Sequence, residues 1–211
     1  MTAVRFTDVI TEESELREIF GWPSDRALNK ETNSLDHHCR AIISKSSFIL
    51  LGTSNSAGHC DVSPKGDYPG FVRVLDDKTV AIPDLPGNNR LDTLKNMLDN
   101  PQVGLIFLIP AMNETLRING KVRLVRDSGL LESMAYQGKL PKLAMVVDVE
   151  EVFIHCPKAF MRSKLWSDEN RIDRNELGSM AEILRDHAGL ADCDVEELQL
   201  ELGQKWVKEL H

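Results

Sequence analysis

The segment Ser63-Pro64-Lys65-Gly66-Asp67 brings a hydroxyl, an ammonium and a flexible glycine together at the end of a predicted strand. A phosphate group needs this combination, because it is held by a charged donor, by short side-chain donors and by backbone that can approach closely. Surface turns are rich in the same residue types, so a plain turn remains an alternative for this segment. Ser63, Pro64 and Lys65 are therefore candidate anion-binding residues.

A second candidate anion site is Pro86-Gly87-Asn88-Asn89-Arg90, directly before an amphipathic segment with helical spacing of its apolar residues. A helix N-terminus offers unpaired N–H groups and the positive end of the helix dipole, and both favour a bound anion. An arginine in the first turn is unfavourable with that dipole, so Arg90 is easier to understand with an anion beside it. Alternatively, Asn88 or Asn89 serves only as the N-cap of the helix.

A third group follows the last predicted strand, where Phe160 and Trp166 flank Arg162 and Lys164. The two aromatic rings can simply pack the end of the chain onto the core, as large apolar side chains commonly do. They can also border a planar ring system, while Arg162 or Lys164 meets a negative group. The residues by themselves leave both interpretations open.

No catalytic acid or base stands out among the histidines. His37 and His38 fall on a predicted helix, and His59 and His155 fall on predicted strands. A histidine in such a position is commonly structural, and no partner carboxylate lies at a useful spacing from any of these four. The catalytic residues therefore stay unassigned.

The cysteines and the composition exclude several classes of protein. Cys39, Cys60, Cys156 and Cys193 show neither C-x-x-C nor Cys/His ligand spacing, so we expect reduced, mostly buried thiols and no structural zinc. The net charge of −8 argues against nucleic-acid and anionic-membrane partners, which need a basic surface. The acidic N-terminal segment does not resemble a signal peptide, and a cytoplasmic protein is expected.

The pattern of apolar residues predicts mostly antiparallel strands, one inserted helix and a helical C-terminal tail. Strands are predicted at 46–54, 59–63, 71–75, 79–83, 102–110, 114–125 and 143–156. Helices are predicted at 12–20, from a cap at Asn33 or Ser34 onward, and at 90–100, 130–136, 157–166, 176–187 and 195–210. Short strands joined by hairpin turns favour a closed or nearly closed barrel.

Five linked segments carry a resemblance to a known family. SPKGDYPGFVRV, IPDLPGNNRLDTLKNMLDNP, VGLIFLIP, ETLRING and CPKAFMRSKLW are similar, in this order, to the pyridoxamine 5′-phosphate oxidase-like superfamily, and more narrowly to a bacterial group of FMN-dependent enzymes. The resemblance implies a mainly β, α+β fold: a split β-barrel that forms a homodimer with FMN in grooves at the subunit interface. It implies one domain over 1–211, with a barrel core at about 35–166 and a helical tail at 167–211.

The resemblance also implies which residues contact FMN. The family's phosphate-binding residues correspond to Asn88, Asn89 and Arg90, and its contacts to the flavin ring and ribityl chain correspond to Ser63, Pro64 and Lys65. Ile82, Pro83 and Asp84 would face the edge of the ring, and Thr115 stands where oxidases of the family have a glutamine. The other subunit would contribute Arg162, Ser163, Lys164 and Trp166.

Two departures from the family pattern bear on the reaction. Pyridoxamine-phosphate oxidases carry an R-x-V-L-L-K strand near the flavin, where this chain has DVSPKGD, and their C-terminal arginine and histidine motif is missing after RSKLW. We therefore expect an FMN-dependent oxidoreductase that acts on another small molecule or on a flavin. The alternatives are a flavin-binding or redox-sensing module without turnover, or the same barrel binding haem, through His59 or His155, or the deazaflavin F420.

Overall fold

The computed structural model describes residues 5–210. Its strands are β1 (Phe48–Ser54), β2 (Cys60–Gly66), β3 (Arg73–Val74), β4 (Thr79–Pro83), β5 (Gln102–Leu108), β6 (Thr115–Val125) and β7 (Ala144–His155). They form one antiparallel sheet in the order β2-β1-β5-β6-β7-β4-β3. The hydrogen-bonded ladder ends at β2 and at β3, so the sheet is not closed. With its helices this gives the predicted α+β split β-barrel.

The helices are α1 (Glu13–Phe20), α2 (Asp25–Asn29), α3 (His37–Lys45), α4 (Asp92–Asp99), α5 (Ser128–Ser133), α6 (Lys158–Ser163), α7 (Met180–Ala188) and α8 (Val195–Lys208). The predicted cap of α3 at Asn33 or Ser34 is wrong, because Asp36 caps it by accepting a hydrogen bond from the Cys39 N–H at 2.8 Å. The segment around Pro23 holds α2, where no helix was predicted. Between residues 5 and 210, no helix combines the length and the apolar character needed to cross a bilayer.

The core lies on the inner face of the sheet, where alternate strand residues point. Ile49, Leu51, Leu105, Phe107 and Ile118 are fully buried there. The helices α3 and α4 pack against this side, with α4 contacting β1, β2 and β6. Because successive side chains of a strand point to opposite faces of the sheet, every second residue of β1, β2 and β6 lies on the face that α4 covers.

β6 and β7 are the long strands that join the two halves of the sheet. The first half of β6 pairs with β5, and its second half lies beside the part of β7 that pairs with β4. The register between β6 and β7 shifts between Asn119 and Gly120. A Cβ on Gly120 would collide with the backbone carbonyl of Asp148, so the close approach at this bulge requires glycine.

The burial of the cysteines differs from the prediction, and the single domain is not tested by the structure. The expectation of mostly buried thiols is wrong, because Cys39 is buried whereas Cys60 and Cys156 are exposed. Burial raises the pKa of the Cys39 thiol to about 11.

In the tail, α7 and α8 pack against each other. The single domain over 1–211 stays a prediction.

Candidate functional site

In the edge strand β2, polar side chains face the interior and the apolar side chain of Val62 faces outward. Asp61, Ser63 and Lys65 pair with the inward-facing Thr53, Leu51 and Ile49 of β1, so the polar residues of β2 face the interior. Val62, between them, points outward and is 63% exposed. Pro64 is tolerated here because an edge strand leaves one row of N–H groups without a ladder partner. The inner face of β2 therefore presents a row of polar groups toward α4.

A polar cleft of about 380 Å³ lies between β2 and the segment that leads into α4. We define the polar cleft by its lining residues, which are Asp61, Val62, Ser63, Pro64, Lys65, Asp84, Gly87, Asn88, Asn89, Arg90, Leu91, Asp92, Thr93 and Leu94. Both candidate anion-binding segments of the sequence thus line one cleft. The cleft brings together seven of the predicted site residues: Ser63, Pro64, Lys65, Asp84, Asn88, Asn89 and Arg90.

The N-terminus of α4 opens on the polar cleft without a side-chain cap. Leu91 is the N-cap residue, with φ 62° and ψ 20°, and its side chain cannot accept a hydrogen bond. The predicted cap at Asn88 or Asn89 is therefore wrong. Asn88 instead accepts a hydrogen bond from the Arg90 N–H at 3.1 Å, and Asn89 has a left-handed φ of 57°. No side chain among residues 5–210 caps the first-turn N–H groups of α4, so these groups can donate to an external acceptor.

Arg90 precedes the helix instead of lying in its first turn as predicted, because α4 starts two residues later than the periodicity indicated. Its Nε donates to Oδ2 of Asp92 at 2.8 Å. This contact holds the pKa of the Asp92 carboxyl below its usual range. Nearby, the Thr93 hydroxyl donates to Oδ2 of Asp61 at 2.7 Å. Two carboxylates of the cleft are thus already engaged by donors of the chain.

Ser63, Lys65 and Asp84 have side chains that make neither a hydrogen bond nor an ion pair with any residue between 5 and 210. All three are half-buried. Burial raises the pKa of the Asp84 carboxyl, and the charges of Lys65 and Lys142 partly oppose that shift. Half-buried polar groups without a partner on the wall of a cleft are typical of a ligand site.

A second cleft of about 480 Å³ adjoins the first, and sequence reasoning missed it. We call it the apolar cleft. It is lined by Asp67, Asp84, Leu85, Pro86, Asn89, Leu91, Leu94, Met134, Tyr136, Lys139, Leu140, Pro141, Lys142 and Leu143. One wall is the segment before α4 and the other is the segment before β7. The only local signal for it was the turn-forming Gln137-Gly138 pair followed by Leu140 and Pro141.

The remaining predicted site residues do not line either cleft. Ile82 and Pro83 are buried behind Asp84 at the end of β4. Thr115 is buried at the start of β6 and pairs with His155 at the end of β7, whereas β4 pairs with the other end of β7. Arg162, Ser163, Lys164 and Trp166 follow β7 at the Thr115 end of the sheet.

Around α6, the side chains make contacts within the chain. Trp166 Nε1 donates to the Met112 carbonyl at 2.9 Å, and its ring stacks on Phe160 with centroids 5.9 Å apart. Lys164 pairs with Glu169 at 2.7 Å. The packing interpretation of the aromatic pair is thus observed within one chain, and the contribution of these residues to the other subunit's flavin stays a prediction.

The histidines between residues 5 and 210 lie outside both clefts. His59 is in the turn before β2 rather than on a strand as predicted, and His155 is the exposed last residue of β7. His37 and His38 begin α3, and with Asp36 they bring three ligand atoms within 4.8 Å of one another. Asp36 is engaged there as the N-cap of α3. No histidine thus faces the polar or the apolar cleft among the residues described.

The sequence profile of the pyridoxamine 5′-phosphate oxidase family matches residues 35–156, which is more than half of the chain. The chain belongs to this family. The match spans α3 through β7 and includes both clefts. No curated protein matches the chain.

Solved structures of this family and related proteins are similar to the chain. HupZ of Group A Streptococcus is 19% identical, with 56% of this chain and 92% of that chain covered and a TM-score of 0.46. A putative pyridoxamine 5′-phosphate oxidase from Lactobacillus delbrueckii is 19% identical over 58% and 95%, with a TM-score of 0.46. A pyridoxamine 5′-phosphate oxidase-related, FMN binding protein from Nostoc punctiforme is 15% identical over 52% and 73%, with a TM-score of 0.37.

Proposed function

We propose that this protein binds FMN in the polar cleft and is an FMN-dependent oxidoreductase that acts on a small organic substrate or on another flavin. The observation that carries the proposal is the meeting of β2's inward polar face with the uncapped N-terminus of α4, in a chain that belongs to a flavin-associated family. The polar cleft has a volume of about 380 Å³, within the range of about 300–1,000 Å³ that is common for small-molecule sites.

The phosphate of FMN would lie at the start of α4. The N–H groups of the first turn and the helix dipole favour a dianion there. Arg90 keeps Nη1 and Nη2 without a hydrogen-bond partner among residues 5–210, so its guanidinium can contact phosphate while Nε stays on Asp92. Asn88 and Asn89 lie beside it.

The ribityl chain and the ring would extend along β2 toward Asp84. Ser63 offers a hydroxyl to the ribityl chain, and the ammonium of Lys65 can stabilise negative charge on the pyrimidine side of the ring. When bound, the flavin supplies the hydride acceptor and donor of the reaction. The chain's own contribution is to bind and orient that group and to tune its charge.

A homodimer would complete the site. The outer face of the sheet carries an apolar group at its β2 edge, where Val62, Phe48 and Ile106 are 63%, 39% and 37% exposed on neighbouring strands. A second copy packed on this face would cover these side chains. In this dimer, Arg162, Ser163, Lys164 and Trp166 of one copy would contact the flavin of the other, as the resemblance to the family implies.

Vitamin B6 oxidation is not part of the proposal. The inner face of β2 carries Asp61, Ser63 and Lys65 where the oxidases of the family have an arginine and lysine strand. The carboxylate of Asp61, which accepts a hydrogen bond from Thr93, makes this side of the cleft less basic than the arginine and lysine strand of the oxidases. The cleft therefore supports flavin binding without supporting that substrate.

The test is the visible absorbance spectrum of the full chain purified without added cofactor, repeated on the supernatant after heat release and centrifugation. Flavin bands and released FMN are expected. Reduction of the bound flavin by NAD(P)H, followed by turnover of a substrate in excess over protein, separates an enzyme from a flavin-binding module. A haem band, or a colourless protein that also fails to take up added FMN, would overturn the proposal.

A further inference from the structure

We propose that the apolar cleft is the substrate subsite, and that it takes a flat apolar molecule whose ammonium or other N–H donor pairs with Asp84. This inference rests on the proposed function, because it sets the substrate next to the flavin. The two clefts share Asp84, Asn89, Leu91 and Leu94. A molecule in one cleft would therefore lie against a molecule in the other.

The walls of the apolar cleft fit a flat apolar body. Leucine, proline and methionine side chains come from both sides: Leu85, Pro86, Leu91 and Leu94 from one segment, and Met134, Leu140, Pro141 and Leu143 from the other. Met134 is buried at the base, whereas Leu91 and Leu140 are 50% and 54% exposed. A ligand between these two leucines would remove both side chains from water, which favours binding of apolar surface.

The wall formed by Tyr136 is held in place before any ligand binds. Tyr136 and Lys139 exchange two backbone hydrogen bonds, at 3.0 and 2.9 Å, across a hairpin turn. The Tyr136 ring stacks on Tyr68 with centroids 4.5 Å apart and an angle of 22°. The Tyr68 hydroxyl accepts a hydrogen bond from Arg73 at 2.9 Å. A preordered aromatic wall lowers the entropic cost of binding a planar molecule.

Asp84 determines which polar group the ligand needs. The other acid of this cleft, Asp67, already accepts a hydrogen bond from the Tyr68 N–H at 2.8 Å. The carboxylate of Asp84 is half-buried and makes no hydrogen bond or ion pair with residues 5–210, while Lys139 and Lys142 lie exposed at the rim. A half-buried carboxylate gains more from a new donor than a solvated ammonium gains from a new acceptor.

The test compares two aromatic probes that differ in charge, naphthylmethylamine and naphthylacetate, by isothermal titration calorimetry on the full chain. Each is titrated into the flavin-free and the FMN-loaded protein. We expect the amine to bind about tenfold more tightly than the carboxylate, because it alone can pair with Asp84. Asp84→Asn should abolish that preference, whereas Asp127→Asn, at an exposed carboxylate outside both clefts, should keep it.

A second variant keeps the test decisive. Leu140→Ala should weaken both probes by a similar factor, because it removes wall area without touching charge. Equal binding of the two probes, a preference that survives Asp84→Asn, or failure of both probes to bind would each overturn the subsite. A chain that binds the amine without taking up FMN would overturn the proposed function and leave the subsite standing, so the two failures are distinguishable.

Discussion

Arg90 Nε and Asp92 Oδ2 lie 2.8 Å apart at the entrance to α4, so the cation proposed for the FMN phosphate is already paired with a carboxylate of its own chain. Arg90 is 74% exposed and Asp92 43% exposed, which makes the pair a solvated one. Solvated ion pairs contribute little to stability. We therefore expect Asp92 to affect the proposed phosphate binding by Arg90 more than the stability of the fold.

Replacing Arg90 with alanine should weaken FMN binding. The loss of a charge-assisted phosphate contact is expected to lower the affinity by roughly tenfold to a hundredfold. The dissociation constant is measured by quenching of flavin fluorescence. Arg171→Ala is the matched control, because Arg171 also pairs with a nearby aspartate but lies far along the chain from the cleft. An unchanged constant for Arg90→Ala would remove the phosphate from this position.

Asp92→Asn should have the opposite effect on FMN. Neutralising Asp92 removes a carboxylate that competes with phosphate for Arg90 and repels it, so affinity should rise severalfold and less so at high salt. Asp168→Asn, which frees Arg171 in the same way, should leave affinity unchanged. If Asp92→Asn binds FMN more weakly than the natural chain, Asp92 supports the site instead of competing with it.

The two segments that line the polar cleft could be singled out from the sequence because each is a local cluster of donors. The strand that ends at Pro83 was predicted with its observed bounds, since a short apolar run next to a turn is also a local signal. The start of α4 could not be predicted from periodicity, because it depends on left-handed backbone at Asn89 and Leu91. Leucine gives no signal of that conformation.

The apolar cleft could not be predicted because it is formed by segments far apart in sequence. Leu91 and Leu140 line the same cleft only after β4, β6 and β7 have paired. Likewise, the inward direction of Ser63 and Lys65 depends on the register of β2 against β1. A shift of one residue would turn both side chains to the outer face.

Stability should depend on pH through Asp84 in a defined direction. Burial raises its pKa in the folded chain above the unfolded value of about 3.9. Its contribution to stability is therefore complete below pH of about 3.9 and is lost as pH rises through the folded pKa. The stability of Asp84→Asn relative to the natural chain should increase from pH 4 to pH 7, as measured by urea unfolding.

Asp36→Asn is the control of opposite sign. The Cys39 N–H lowers the pKa of Asp36, so its contribution is present above about pH 3.9 and is lost as pH falls through the lowered folded pKa. This variant should be less stable than the natural chain at pH 7, with the difference shrinking in acid. If the stability of both variants, relative to the natural chain, changed with pH in the same direction, the pKa shifts given for Asp84 and Asp36 would both be contradicted.

Val62→Lys should dissociate the proposed dimer. A lysine at an outward position of β2 would bury an unpaired charge if a second copy covers this face. Light scattering after gel filtration should change from dimer to monomer mass, and FMN affinity should fall because α6 of the partner is lost. Ile172→Lys, at a residue that is 58% exposed outside the sheet, is expected to change neither. A natural chain that is monomeric and still binds FMN tightly would rule out the interface site.

Gly120→Ala should destabilise the fold strongly. The added Cβ meets the Asp148 carbonyl, which is backbone in the paired strand and cannot rotate away. Overpacking of this kind costs about 2–4 kcal/mol of unfolding free energy. Gly129→Ala is the control: nothing lies within 4 Å of its Cβ, and alanine in α5 should instead add about 0.5–1 kcal/mol. Both are measured by urea denaturation, and equal stability of the two variants would show that the β6–β7 bulge yields to accommodate a side chain.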